Sequence, residues 1–237
     1  MRLATGLLVF TSALTVHAEG IDQLGNLAPP EFRQMSEDLG AALSYKPMVP
    51  AEPLGITGFD IGVELSVTDL RNADFLERAT SENVPEVLPV PRLHVHKGLP
   101  FGLDVGLSYS TIPDLDIELW GGELRYAILK GGVTMPALAL RASFTKLQGV
   151  DQLDLDTRAV DLSISKGFAF LTPYAGIGRV WVTSTPNGVP PPLVEEDFGL
   201  NKYFAGLNVA LGIFSVAAEA DKTGDAWTYS GKFALRF

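Results

Sequence analysis

The sequence contains no cysteine and, after residue 16, no long apolar run. Without such runs the rest of the chain has no membrane-spanning helix, which needs about 20 consecutive, mostly apolar residues. Yet 46% of the residues are hydrophobic and the mean hydropathy is +0.19. Soluble globular chains rarely combine this apolar content with such scattered apolar residues. The apolar side chains must therefore be organised in some other repeating pattern.

Basic side chains are also scarce, with 18 Lys and Arg against 28 Asp and Glu and a formal net charge of -10. The few basic residues form no cluster in the sequence. Nucleic-acid surfaces are strongly basic because they must neutralise phosphates. The composition therefore predicts no nucleic-acid partner.

The N-terminus has the layout of a secretory signal peptide. A basic residue at Arg2 precedes an apolar run over 3–16, and small residues end at Ala18. The alternative is a membrane anchor, but this run rises only about 21 Å as a helix against a hydrocarbon core of roughly 30 Å. We predict cleavage after Ala18. An exported chain without disulfides must be held by a large core or by a bilayer.

From residue 58 onward, apolar and polar residues alternate with period two, which is typical of strands with two different faces. The pattern is clearest over 58–68, 103–110 and 227–237. Ten candidate strands follow: 58–68, 91–97, 102–110, 119–129, 137–147, 157–166, 172–184, 202–212, 214–222 and 226–237. This predicts an all-β fold, either a membrane-embedded antiparallel up-and-down β-barrel of about ten strands or an antiparallel sandwich.

Two further patterns favour the barrel. Short connections alternate with mostly longer ones, as in outer-membrane barrels with short periplasmic turns and long outer loops. When the strands are laid up and down, aromatic residues cluster at both ends, as in the girdles at the two membrane interfaces. The predicted outer girdle holds Tyr109, Trp120, Phe144, Trp181, Tyr203 and Trp227, and the inner one Phe101, Tyr126, Phe168, Phe170, Tyr174, Phe214 and Phe237.

The last strand resembles the C-terminal signal of Gram-negative outer-membrane β-barrel proteins, with alternating apolar positions and a terminal Phe. The residues that carry the resemblance are Trp227, Tyr229, Phe233, Leu235 and Phe237. The tract 171–178 is also similar to strands of small outer-membrane barrels. The resemblance implies insertion by the barrel assembly machinery and contact with outer-membrane lipid and lipopolysaccharide. It covers 58–237 as a pattern and names no subfamily with a known activity.

The chain thus divides into a signal peptide (1–18), an N-terminal extension (19–57) and the barrel (58–237). In the extension, Pro30 precedes apolar residues at helical spacing, namely Phe32, Met35, Leu39 and Leu43. This predicts a short amphipathic helix followed by a Pro-rich linker. The helix could be a periplasmic stub, a plug or a membrane-surface helix. We expect it in or under the periplasmic mouth, where the stiff linker leads into the first strand.

A set of charged and imidazole side chains in the candidate strands is predicted to face the lumen. Its members are Asp60, Glu64, Arg92, His94, His96, Asp104, Glu123, Arg125, Arg141, Asp161, Arg179, Glu219, Lys232 and Arg236. Acid and base are nearly balanced in this set. A structural network of ion pairs is the first interpretation, because unpaired buried charges are costly in so narrow a barrel. A selective pore is the alternative.

His94 and His96 occupy alternate positions of one strand, so both imidazoles face the lumen. Such a pair could act in catalysis or bind a metal. In outer-membrane enzymes similar to lipid A acylases or omptin proteases, however, the site lies near the outer rim. These two histidines lie near the short turn at 97–102, and no Ser nucleophile or Asp pair accompanies them. We therefore predict no catalytic residue, no metal site and no cofactor there.

Acidic residues cluster in the predicted outer loops, at 114–118, 151–156 and 195–197. None matches a calcium-binding EF-hand loop. They either keep the loops solvated or hold divalent cations that bridge to lipopolysaccharide phosphates. The functional expectation is a non-enzymatic outer-membrane barrel, either a narrow channel for small solutes or a structural surface protein. The alternative is an outer-membrane enzyme that acts on lipid or lipopolysaccharide.

Overall fold

A computed structural model describes residues 20–80, 83–112 and 117–237. Within them, ten antiparallel strands form a closed barrel in which each strand pairs with its sequence neighbours and the last pairs with the first. This confirms the predicted up-and-down barrel. The strands are β1 (Phe59–Asp69), β2 (Val87–Gly98), β3 (Leu103–Ile112), β4 (Ile117–Lys130), β5 (Ala137–Gln148), β6 (Leu153–Ser165), β7 (Leu171–Pro186), β8 (Glu196–Leu211), β9 (Phe214–Thr223) and β10 (Ala226–Arg236). The predicted signal peptide, Asp114 and Asp116 lie outside the described residues.

The barrel is closed by pairing between β1 and β10, from Asp60 opposite Arg236 to Thr68 opposite Thr228. At the end of this seam Phe237 donates its N–H to the carbonyl of Phe59 at 3.0 Å and accepts one from Phe59 at 2.6 Å. A closed barrel leaves no unpaired edge strand. The predicted C-terminal signal therefore also completes the barrel wall.

The two faces of the wall have opposite chemistry, as β1 shows. Asp60 and Glu64 face inward and are 1% and 3% exposed, whereas Ile61 and Val63 face outward and are 44% and 53% exposed. Water would penalise such an exterior, but the hydrocarbon of a bilayer is its natural solvent. The alternation seen in the sequence is thus that of a membrane-embedded barrel.

The two ends of the barrel differ less in loop length than the sequence predicts. At one end, the short-turn end, the connections are 99–102, 131–136, 166–170 and 212–213. At the other, the long-loop end, only 70–86 and 187–195 are long. The predicted loops 110–119 and 147–157 shrink because β3 to β6 extend into them. Inward residues such as Leu119 and Leu147 continue the alternation there and are buried.

Two α-helices accompany the barrel: α1 (Pro29–Leu43), which was predicted, and α2 (Ala73–Thr80), which was not. At the start of α1 the carboxylate of Glu31 accepts the N–H of Ala28 at 2.8 Å, and prolines occupy its first positions. Its end is marked by Ser44, whose N–H bonds to the carbonyl of Gly40. No helix among the described residues is long and apolar enough to cross a membrane.

The lumen has two zones, and this decides where α1 lies. At the long-loop end the inward side chains are apolar, and they form one core cluster with the apolar stripe of α1. This cluster includes Phe32, Met35, Leu39 and Leu43 of the helix and Leu119, Leu147, Leu155, Val180, Val182 and Phe198 of the wall. Burial of each large apolar side chain stabilises the fold by about 1.5–3 kcal/mol. The prediction that α1 lies in or under the periplasmic, short-turn mouth is wrong. The linker does lead into β1 at that end, but it runs through the barrel, and α1 packs on the apolar wall at the long-loop end.

Both aromatic girdles are present on the outer surface, with one correction. Trp120, Phe144, Trp181, Tyr203 and Trp227 are exposed toward the long-loop end, and Phe101, Tyr126, Phe168, Phe170, Phe214 and Phe237 toward the short-turn end. Tyr174, however, is buried and faces the lumen. It lies over Gly206, where a Cβ would approach the ring to 2.4 Å. The missing side chain on β8 makes the room that Tyr174 occupies.

Candidate functional site in the barrel lumen

The lumen is occupied by the chain's own N-terminal segment. From α1 at the long-loop end, residues 44–58 run down the barrel to the start of β1 at the short-turn end. Every residue from 41 to 51 is buried. The segment therefore passes through the interior of the barrel, and we call residues 29–58 the plug.

At the long-loop end, α1 attaches the plug to strand β7 and to the connection 70–86. The hydroxyls of Ser36 and Ser184 on β7 are 2.8 Å apart. The carboxylate of Asp38 accepts hydrogen bonds from the backbone N–H of Asn72 at 2.7 Å and from its side chain at 3.2 Å. Gly40 lies so close to Val182 that a Cβ there would come within 2.5 Å of it. The helix thus packs directly on the barrel wall.

Backbone carbonyls of the plug, from the last turn of α1 to residue 50, receive hydrogen bonds from cationic side chains of three different wall strands. Arg92 donates to the carbonyl of Ala42 at 2.8 Å, Lys202 to that of Tyr45 at 3.1 Å, and Arg125 to that of Pro50 at 2.7 Å. In the other direction, the N–H of Leu54 donates to Asp104 at 3.1 Å. Such bonds satisfy carbonyls at the end of α1 and in the segment that follows it, which have no strand partner. They also hold the plug by charge-assisted contacts, which are the stronger kind.

Around the plug, the wall carries buried ion pairs between directly opposed residues of neighbouring strands. Three of them join residues that face each other in register: Arg92–Glu64 at 2.9 Å, Arg125–Asp104 at 2.6 Å and Arg141–Asp161 at 2.7 Å. Lys232 lies 2.5 Å from Asp60. Pairing of this kind offsets the cost of removing the charges from water. It fits the predicted ion-pair network.

His94 and His96 lie side by side beneath α1, and their rings stack at a centroid distance of 5.6 Å. His94 Nε2 contacts the carboxylate of Glu64. His96 lies 3.6 Å from both Asp60 and Glu123, and its Nε2 is 3.3 Å from the hydroxyl of Tyr45 on the plug. Both imidazoles are fully buried.

Tyr45 reaches these histidines because two wall positions opposite it are glycine. A Cβ on Gly106 would lie 2.8 Å from the Tyr45 hydroxyl, and one on Gly121 would lie 2.9 Å from its ring. A larger residue at either position would displace the ring. The wall is therefore shaped to receive a side chain of the plug.

Two arrangements considered for the histidine pair are not found within the described residues. No serine hydroxyl there hydrogen-bonds to either imidazole, which a Ser–His pair requires. No group of three His, Asp or Glu side chains is arranged to hold a metal ion in that same part of the chain. Through the contact between Tyr45 and His96, the plug is linked to Asp60 of β1 and Glu123 of β4.

The structure places thirteen of the fourteen predicted lumen residues on the inner face, with Arg236 half-buried at the short-turn mouth. Arg179 is the exception and requires a correction. It is exposed on the outer face between Ile177 and Trp181, near Asn201. The neighbouring Val180 and Val182 face inward and are fully buried. Charge alone misled the prediction, since an arginine near a membrane interface can extend its head group toward water.

Among the described residues, the buried charged side chains that the sequence did not predict include Lys46, Lys202 and Asp221. Lys46 of the plug lies 3.0 Å from Asp221 of β9, with neither side chain exposed to solvent. Asp221 shares the parity of Glu219, which had been predicted, so its position could have been inferred. Lys46 lies in a linker without periodicity, and no sequence signal identified it.

The acidic residues at the long-loop end mostly have protein partners. Glu196 pairs with Arg33 of α1 at 3.1 Å, Asp154 accepts from Asn187 at 2.8 Å, and Glu118 accepts from Tyr109 at 2.9 Å.

Two carboxylates of α1 have shifted pKa values. Burial raises the pKa of Asp38, although its hydrogen bonds from Asn72 oppose the shift. The pKa of Glu31 is lowered by the Ala28 N–H and by Arg78.

No protein-family model and no curated protein matches the chain. Solved structures of outer-membrane barrels do. The N-terminal β-barrel domain of OprF from Pseudomonas aeruginosa is 13% identical with a TM-score of 0.40, and the match covers 77% of this chain and 99% of that one. A KdgM porin in complex with oligogalacturonate is 10% identical with a TM-score of 0.39, over 75% and 99%. Ail of Yersinia pestis is 11% identical with a TM-score of 0.31, over 76% and 97%. The likeness is one of barrel fold, and no activity is transferred from it.

Proposed function

We propose that the protein is a non-enzymatic outer-membrane barrel whose lumen is closed by its own N-terminal plug. Residues 1–18 direct export and are cleaved after Ala18. The terminal strand, with Phe237 at its end, is the signal for the barrel assembly machinery. The assembled barrel is surrounded by outer-membrane lipid and lipopolysaccharide.

The observation that carries this proposal is the set of hydrogen bonds across the lumen. Arg92, Lys202 and Arg125 come from β2, β8 and β4, yet all three donate to backbone carbonyls of the plug. Displacing the plug would leave three buried cations without these acceptors, at a cost of about 1–3 kcal/mol or more for each unsatisfied group. Of the two expected roles, this supports the structural surface protein over the solute channel.

Conductance across planar lipid bilayers tests the proposal, with the plug locked in place by a disulfide. The chain has no cysteine, so Ser36→Cys with Ser184→Cys introduces one bridge between α1 and β7, where the native hydroxyls are 2.8 Å apart. The matched control is Thr68→Cys with Thr228→Cys, whose hydroxyls are 2.9 Å apart and which joins β1 to β10, two strands of the wall, instead of joining the plug to the wall.

We expect the wild-type chain and the plug-locked variant to show the same low conductance, whether oxidised or reduced. Discrete openings that disappear only on oxidation of the plug-locked variant would contradict the proposal. They would show that the plug is a gate and that the protein is a channel. The control pair keeps its conductance in either redox state.

A further inference from the structure

The wall of the barrel is incomplete between β2 and β3 at the long-loop end. The two strands pair only from Gly98 opposite Asp104 to Leu93 opposite Tyr109, although β2 begins at Val87 and β3 continues to Ile112. On its other side, β2 stays paired with β1 along its whole length, as far as Val87. Residues 87–92 and 110–112 therefore border an opening, which we call the lateral seam.

The seam follows from two prolines at alternate positions of β2. Even-numbered residues of β2 exchange hydrogen bonds with β1, as the bond from the Gly98 N–H to the Gly58 carbonyl shows. Odd-numbered residues therefore face β3. Pro89 and Pro91 occupy two of these positions and have no N–H to donate. Pairing ends at Leu93, the last position before them that has a donor.

Behind the seam lies an apolar pocket of about 230 Å³. Its inner wall is formed by Leu39 and Leu43 of α1 and Leu76 of α2, and its far side by Leu119, Leu147 and Val150. None of the described residues that line it is ionisable. This separates it from the charged lumen below, where Arg92 and Glu64 are paired. A cavity with a mostly apolar lining is suited to apolar molecules.

The seam opens at the outer edge of the part of the barrel that lipid surrounds. It begins directly beyond Tyr109, whose ring lies 4.5 Å from Trp120 in the outer aromatic girdle. Below this level, Leu93 and Leu107 of the same two strands are 56% and 63% exposed on the outer face. The pocket is thus continuous with the boundary between the hydrocarbon of the bilayer and its head groups. The chemistry available at that boundary is the hydrocarbon chain of an amphiphile.

We infer that the lateral seam admits a hydrocarbon chain from the surrounding membrane into this pocket, with the polar head of the amphiphile left at the interface. The chain would belong either to a free fatty acid or to a bilayer lipid. The inference needs the plug in place, since α1 forms the inner wall, but it does not depend on the lumen being closed to ions. The conductance measurement can therefore contradict the proposed function without contradicting this inference, and the labelling experiment can do the reverse.

The test is photolabelling of the full chain in phosphatidylcholine vesicles. One arm uses a fatty acid with a diazirine in its chain, and the other a phosphatidylcholine with the same group. Labelled peptides are identified by mass spectrometry. We expect labelling at the pocket segments 39–43, 110–111, 117–119 and 147–150 that unlabelled palmitate or excess lipid competes away, whereas labelling of outward residues is not saturable. Saturable labelling by the fatty acid alone, or by both probes, supports the inference and identifies the source of the chain.

Two pairs of variants make the test specific. Leu147→Trp fills the pocket, and Leu140→Trp is its control on the same strand, since Leu147 is 6% exposed and Leu140 is 45% exposed on the outer face. We expect saturable labelling to fall about ten-fold in the first and to stay unchanged in the second. Heat-modified gel mobility verifies that each variant is folded.

The second pair addresses the route through the seam. Pro89→Ala with Pro91→Ala restores two N–H donors toward β3, and Pro100→Ala in a short turn is the control. We expect the double variant to take up the probe several-fold more slowly than the wild type and the control. An unchanged rate would overturn the seam as the route. Equal, non-competed labelling in the wild type and Leu147→Trp would overturn the pocket as a site.

Discussion

Lys46 of the plug lies 3.0 Å from Asp221 of β9, and both side chains are completely buried. Lys46 also donates to the carbonyl of Ala41 at 3.0 Å. The plug is therefore attached to the barrel by a charge pair shielded from solvent, in addition to its backbone contacts. Each partner is needed by the other, because a lone buried charge is far more costly than a pair.

We predict that Asp221→Asn destabilises the protein by about 3–5 kcal/mol, because it leaves the ammonium of Lys46 buried without its counter-charge. Equilibrium urea unfolding in lipid vesicles measures the change. The control is Asp225→Asn, a carboxylate that is 92% exposed and 3.9 Å from Lys222, where solvent already screens the pair. Equal stability of the two variants would show that the Lys46–Asp221 pair does not hold the plug.

Substitution of Arg141 and of Arg179 tests which face of the barrel each arginine occupies. Arg141 is buried in the lumen 2.7 Å from Asp161, whereas Arg179 is exposed on the outer face. We expect Arg141→Leu to cost about 3–5 kcal/mol of unfolding free energy, since it leaves Asp161 unpaired. Arg179→Leu should change that free energy little. A large loss of unfolding free energy in Arg179→Leu would show that Arg179 belongs to the ion-pair network of the lumen.

The sequence predicted the barrel well, because period-two alternation directly reflects a wall between lipid and a polar interior. In β1, each inward carboxylate lies between two apolar residues of opposite parity, so parity alone assigns Asp60 and Glu64. In β7 the same reasoning failed, since Gly176 and Gly178 occupy inward positions and leave no polar signal. The charge of Arg179 then outweighed parity.

The position of the plug could not be derived from the sequence. The apolar stripe of α1 predicts that the helix is buried, but a linker of this length reaches either end of the barrel. The answer depends on the far-apart residues Leu119, Val182 and Phe198, which make the long-loop end of the lumen apolar. These residues come together only when the strands have paired in their final register. The lateral seam likewise requires knowing that Pro89 and Pro91 face β3 rather than β1.

Phe237 is expected to matter for assembly as well as for closure. It stacks on Phe59 at a centroid distance of 5.7 Å and exchanges two backbone hydrogen bonds with it. We predict that Phe237→Asp reduces the amount of protein in the outer membrane and leaves degraded precursor, as fractionation would show. Phe101→Asp is the control, because Phe101 is an aromatic residue at the same end but lies in a turn. Normal insertion of Phe237→Asp would show that the terminal Phe is not needed as an assembly signal.

Asp38 should make the attachment of α1 depend on pH. Burial raises its pKa above the ordinary value of 3.8, so folding favours the protonated carboxyl. The sign follows: ionised Asp38 weakens the folded state at neutral pH, and this penalty is relieved as the pH falls through the raised pKa, down to 3.8.

Hydrogen exchange of the α1 amides, measured against pH, tests this relation. Because other carboxylates also titrate, the quantity to compare is the difference between the wild type and Asp38→Asn. The wild type should gain protection relative to the variant on acidification, since the amide cannot ionise but can still accept the Asn72 N–H. Glu77→Gln, at an exposed position of α2, is the control and should follow the wild type. If the difference between the wild type and Asp38→Asn stays constant across this range, the carboxyl of Asp38 does not control the attachment of α1.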